Sequence, residues 1–252
     1  MTIHEARKEQ WESIKDQSMR EKLSYFWEYY GIKTICLLLA LIVLVAFIIS
    51  MATKKEFAFT GVFFGAQPQD SCDAYLEDFK QAIQIDQKEY DVSVQCHLDI
   101  QMGQMVTQEI YTSMETFTAM VASRSVDCFA GDRDLFLYYG YLDYAVDLRT
   151  VLTPQELSAL APYLHYIDGK LIELQDQNDE GLANAYAQRP DSTKPELMGD
   201  PIPVGISLDA ANDDFKANYQ FRENAVIGIC ASASYPQNAL AFLRYCLNTD
   251  PA

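Results

Sequence analysis

The chain has 252 residues, with 36 acidic against 19 basic side chains and a net charge of −17 at pH 7. That balance excludes a nucleic-acid partner, because phosphate backbones are held by clustered Lys and Arg. A content of 49% hydrophobic residues with only eleven glycines, and no repeat or long like-charge run, excludes a disordered or fibrous chain.

Residues 1–33 lead the chain as a predicted cytoplasmic juxtamembrane helix, with Met19, Leu23, Phe26 and Tyr30 forming one stripe at helical spacing. Ile35 to Ala52 then run uncharged, and Thr34 and Thr53 extend the stretch to twenty residues. That length crosses a hydrocarbon core as a helix, so residues 34–53 are predicted as a transmembrane anchor in the lipid bilayer. Tyr25, Phe26, Trp27, Tyr29 and Tyr30 stand where an interfacial aromatic belt lies, and Lys33, Lys54 and Lys55 mark the two interfaces. A cleavable signal has an apolar stretch of about 7–15 residues behind a short basic segment. This run is longer and later, which favours an uncleaved anchor.

Charge sets the expected orientation. Residues 1–34 hold six basic and six acidic side chains, whereas residues 53–252 hold thirteen and thirty. The neutral N-terminus is expected to stay in the cytoplasm and the acidic residues 54–252 to lie outside it, on a cell membrane.

Those residues form one predicted α/β domain. "EFAFTGVFFG" (56–65) is apolar on both faces, as a central strand is. "SCDAYLEDFKQAIQI" is a helix by period with Ser71 placed to cap it. "DVSVQCHLDI" alternates as a half-buried strand. A helix over about 104–122 leads to the short strand "VDCFAG" (126–131), and another follows near 135–141. Strand and helix alternating in this way predict a mainly parallel sheet with helices on both faces. Thr153, Pro154 and Glu156 spell a capping box. "LHYIDGKLIELQ" carries Asp168-Gly169 between apolar runs, a β-hairpin signal. The strands "IPVGISL" and "AVIGICA" and a closing helix from about 237 to 247 complete the domain.

"VDCFAGDRDLFLYYGYLDYAVDL" with "LTPQEL", and "PIPVGISL" with "AVIGICASASYPQNALAFLRYCL", resemble segments of extracellular solute-binding proteins of the type II periplasmic-binding fold. The resemblance covers about residues 56–163 and 202–248. It implies a membrane-anchored, reduced relative of that family, with one lobe plus a hairpin. Residues 164–201 are too few for a second lobe of about 100 residues.

In a doubly wound sheet a ligand or partner is met at the carboxyl ends of strands, at the switch point. The loops "GAQPQDS" and "GDRD" reach it, which makes Gln67, Gln69, Asp70, Ser71, Asp132, Arg133 and Asp134 the candidate binding residues. Helix capping and turn formation explain the same residues without a ligand.

With Cys36 in the span, five cysteines remain, an odd number, and no spacing for zinc occurs. Cys96, Cys128 and Cys230 suit buried strand positions, while Cys72, in a first helical turn, is where a dipole favours a thiolate. Cys96 and His97 would point to opposite faces of a strand and form no dyad. Ser232 and Ser234 lack a serine-nucleophile motif. "DQNDEG" (176–181) opens like a calcium loop, but Ala187 stands where the twelfth-position acid belongs. No cofactor, metal site or catalytic residue is predicted. The expectation is a non-catalytic domain that binds a small ligand or an envelope protein. The alternatives are a structural envelope component and a thiol- or serine-dependent enzyme.

Overall fold

The computed structural model describes residues 18–52, 55–100, 102, 107–175, 186–222 and 224–247. The chain separates after Lys54 into two units. The first contains helix α1, Met19–Ala52, unbroken over 34 residues. At 1.5 Å per residue it is about 51 Å long, against a hydrocarbon core of about 30 Å. Its window Gly31–Ile48 has a mean hydropathy of 2.7 and is 6% buried, so it is long and apolar enough to cross a membrane. The predicted juxtamembrane helix and anchor are therefore one helix where described.

In the second unit the strands are β1 (Glu56–Phe63), β2 (Gln67–Pro68), β3 (Tyr90–Gln95), β4 (Cys128–Asp132), β5 (Leu164–Asp168), β6 (Pro201–Ser207), β7 (Tyr219–Gln220) and β8 (Ala225–Ile229). The helices are α2 (Cys72–Ala82), α3 (Gln108–Ala122), α4 (Arg133–Tyr141), α5 (Pro154–Leu160), α6 (Gly169–Gln175), α7 (Asp213–Asn218) and α8 (Pro236–Leu247). Six strands form one sheet in the order β3-β1-β4-β8-β6-β5, and β2 pairs with β7.

The sheet is mixed, not mainly parallel. β3, β1 and β4 run parallel, but β8 is antiparallel to β4 and to β6, and β5 is antiparallel to β6. β8 is buried along its whole length. Burial on both faces makes a strand apolar whichever way it runs, so its direction could not be read from composition.

Two apolar clusters cover the two faces. One gathers Phe59, Phe63, Phe79, Ile227, Phe215 and Phe242 with α2, α7 and α8. The other gathers Val62, Phe64, Phe117, Phe129, Phe136 and Val226 with α3 and α4. Alternate residues of β1 enter opposite clusters, as period-two side chains must. Val204 and Ile206 of β6 also enter opposite clusters, because the register with β5 slips at Val204.

The hairpin expected at Asp168-Gly169 is absent: β5 passes directly into α6. A two-residue hairpin turn needs positive φ at its glycine, and among the described glycines only Gly65 has one, at +64°. Gly169 lies close to the returning strand instead, since a Cβ there would come within 2.5 Å of Asp200 Oδ2 and displace that side chain. The Asp168 carboxylate accepts N–H bonds from Lys170, Gly199 and Asp200 at 3.1, 2.9 and 2.9 Å, fixing the helix start to the strand that returns beside it.

The capping box at α5 forms as expected, and its Glu156 also receives Arg244 from α8 at 2.7 Å. β3 ends at Gln95, short of the predicted 100, and α3 starts at Gln108 with Thr107 as its cap. The calcium-like stretch 176–181 lies outside the described residues, as do residues 1–17.

Candidate functional site

β1 and β4 lie side by side and parallel, so the segments leaving their carboxyl ends depart from the same edge of the sheet. This switch point is packed solid. Phe64 fills it, 4.8 Å from Phe117 and 5.9 Å from Tyr139 between ring centroids. Gly131 leaves room for it, since a Cβ there would sit 3.0 Å from Phe64 Cβ.

The seven candidate residues fall into two groups with different neighbours. Gln67 lies in β2 opposite Gln220. The Gln69 N–H donates to the Asn218 carbonyl at 3.0 Å, and the Ser71 hydroxyl donates to Asn218 Oδ1 at 2.6 Å. Ser71 stands at the cap position of α2 yet makes no capping bond, because its backbone is helical (φ −86°, ψ −3°) where a capping residue is extended. Asp70 is exposed between them. In the second group Asp132 caps α4, accepting the Asp134 N–H at 2.9 Å. Asp134 takes Arg189 at 3.2 Å and Arg133 at 3.7 Å, and Arg189 lies flat on the Tyr186 ring at 3.8 Å. Arg133 thus pairs with its own neighbour, while its N–H donates to the Asn224 carbonyl at 3.1 Å.

One strand over, at the edge strand β3, a cleft of about 430 Å³ opens. Its first wall is the start of α2, where Cys72 and Leu76 lie one turn apart with Asp73 beside them. The second is the end of β3 and the residues after it, Val94 to His97, and the third is Pro68 with Tyr219 from the β2–β7 pair. Because β3 stops at Gln95, strand alternation no longer separates Cys96 from His97, and both line the cleft.

Both thiols have raised pKa values. Burial raises the Cys72 pKa, and the Asp73 carboxylate, with Oδ1 at 3.9 Å from Sγ, adds to it. These outweigh the helix terminus, which is the reverse of the thiolate expected from its position. Burial pushes Cys96 up to about 12, with Cys72 contributing. Cys128 and Cys230 are fully buried, as their strand positions implied.

Tyr219 is the residue that the sequence did not single out. It is 2% exposed, and its hydroxyl is buried without a hydrogen-bond partner. Burial, then Cys72, Cys96 and Asp73, raise its pKa. The alternation of Tyr219, Gln220 and Phe221 was a strand signal, but three residues are too short to weigh. Apolar and polar side chains line this open cleft together, and its volume falls within the usual range of about 300–1,000 Å³ for a small-molecule site.

A Ser–His pair does occur elsewhere. His165 Nδ1 and Ser192 Oγ are 2.9 Å apart, on the opposite edge strand β5, and both residues are buried. Burial and then Arg133 hold His165 down at about 4. With the adjacent bond from the Tyr166 N–H to the Ser192 carbonyl at 2.8 Å, the pair ties β5 to the segment before β6. Among the described residues no group of three or more His, Cys, Asp or Glu is placed to hold a metal ion. No protein-family model matches the chain, and neither a curated protein nor a solved structure matches it.

Proposed function

We propose that this chain is a single-pass membrane protein with a cytoplasmic N-terminus, whose acidic α/β domain lies outside the cytoplasm and binds a small ligand without transforming it. The observation that carries the reading is the cleft beside β3, where apolar side chains meet Asp73, Gln95 and His97. Binding is favoured over thiol chemistry because both cleft cysteines have raised pKa values, which leaves little thiolate for catalysis at neutral pH but enough for slow chemical labelling. A purely structural role would be served by the packed switch point alone. It would leave the neighbouring cleft unexplained.

The likeness to type II solute-binding proteins belongs to the same proposal, in the one-lobe form. Between β5 and β6 the chain offers residues 169–200, and α6 and a short turn at Pro195–Leu197 account for part of them. The anchor and the outward orientation rest on the apolar window of α1 and on the excess of acidic side chains after it.

A membrane-impermeant maleimide added to intact cells tests location and access together. Cys72, half-exposed in the cleft, should be modified without permeabilisation, while buried Cys128, Cys230 and Cys246 stay unmodified. Modification of Cys72 only after the membrane is opened would reverse the orientation. Modification at none of these cysteines even then would show that the cleft is closed.

A further inference from the structure

We propose that Cys72 and Cys96 form a redox pair that closes into a disulfide across the cleft, in a setting that rests on the domain lying outside the cytoplasm, where thiols meet oxidants. The cysteines of the domain sort by access. Cys128, Cys230 and Cys246 are fully buried, whereas Cys72 and Cys96 are both partly exposed and both line the one cleft, on different walls. They also pack against the same apolar cluster.

The path of the chain brings them together. β1 and β3 are parallel, so α2, which connects them, runs back against both and starts at the end where β3 finishes. Cys72 is in the first turn of α2, and Cys96 directly follows β3. Lys80 and Asp91 are ion-paired and fix the helix against the strand. From that tie Cys72 lies eight residues back along α2, about 12 Å, and Cys96 five residues on along the strand, about 17 Å. The two thus stand within about 5 Å of the same height, and a disulfide joins Cα atoms about 4.4–6.8 Å apart.

The oxidant is a small-molecule disulfide. The Cys72 thiolate attacks one of its sulfurs and expels one thiol; the Cys96 thiolate then attacks the Cys72 sulfur and expels the second. Two electrons pass from the pair to the external disulfide, and the two protons leave on the released thiols. A bond made once per molecule needs no fast thiolate, so the raised pKa values that disfavour catalysis do not prevent it.

The test uses the full chain in nanodiscs, incubated with oxidised glutathione and mapped by peptide mass spectrometry without reduction. A peptide linking Cys72 to Cys96 should form, with Cys128, Cys230 and Cys246 remaining thiols. The melting temperature should rise by about 5 °C or more, since the bond closes a loop of about 25 residues. Cys96→Ser should stop at a glutathione adduct on Cys72, and Cys72→Ser should leave Cys96 a thiol. An adduct on wild-type Cys72 that never resolves to the linked peptide, or a bridge from Cys72 to any other cysteine, would overturn the pair. On intact cells, which it does not enter, the same reagent should block maleimide labelling of Cys72, and a membrane-impermeant phosphine should restore it, because the maleimide reads the reduced form. If the bridge forms in nanodiscs but labelling in cells does not respond, the outside location falls and the pair stands.

Discussion

Replacing Tyr219 by Phe should stabilise the ligand-free domain, although it deletes a polar atom from a candidate site. The ring keeps its packing, with centroids 5.1 Å from Phe63, 5.4 Å from Phe215 and 6.0 Å from Tyr75. Only the hydroxyl goes, and it has no partner to lose. A buried polar group left unpaired costs about 1–3 kcal/mol. Removing it leaves a void of one oxygen atom, which takes back part of that gain. At a net gain of about 1 kcal/mol, a domain of this size melts about 2–4 °C higher. The assay is calorimetry on the full chain in nanodiscs, with Tyr139→Phe as the control. The Tyr139 hydroxyl is also buried without a partner, but it lies in the other cluster, 4.7 Å from Phe117. Both variants should gain stability. A lower melting temperature for Tyr219→Phe would mean that the hydroxyl already has a stabilising partner, which would refute the reasoning.

His165 is neutral and buried in the folded domain, with its pKa depressed to about 4 by burial and by Arg133. Its contribution is fully present above the unfolded value of about 6.5 and is lost as pH falls towards about 4, amounting to about 2 kcal/mol by pH 5. Urea unfolding at pH 7 and pH 5 should show that loss in the wild type and not in His165→Gln; equal pH dependence would place the titration elsewhere. Glu156 is held down to about 2 by Arg244, although burial opposes it. Its contribution is present above about pH 4.5 and lost as pH falls to about 2, and a double-mutant cycle of Glu156→Ala with Arg244→Ala should give a coupling of about 1 kcal/mol. A coupling near zero would make the pair incidental. Asp168→Ala should cost about 2 kcal/mol, because the buried carboxylate serves three backbone N–H groups, although Lys170, Gly199 and Asp200 are themselves exposed. A loss under about 1 kcal/mol, read from the denaturation midpoint, would show that water replaces the carboxylate.

Local signals in the sequence carried far. The capping box at Thr153, the buried run of β1 and the helical period of α2 each depend on neighbours within a few residues. The apolar window of α1 does too, and all four stand as expected. What the sequence could not show depends on distant partners. β8 reverses the sheet because it inserts between β4 and β6, a pairing of residues about a hundred positions apart at Cys128 and Ile229. Asp168-Gly169 carried a turn signal, but the same two residues serve a helix start clamped by Gly199 and Asp200. The site shifted for a similar reason. The loops after β1 and β4 do leave the same end of the sheet, yet Phe64 seals the space between them. The opening lies at β3, where Tyr219 arrives from the far end of the chain.

Native mass spectrometry of the full chain released directly from its membrane, beside a Cys72→Phe variant whose larger ring occupies the mouth of the cleft, bears most directly on the proposed function. Cys72 is partly exposed in the first turn of α2, lines the cleft and packs against the edge of the core, so the variant is compared only after its melting temperature is shown to match the wild type. A small-molecule adduct on the wild type that is absent from Cys72→Phe is the result expected of a cleft that holds a ligand. An adduct of equal mass and occupancy on both proteins, or on neither, would contradict it.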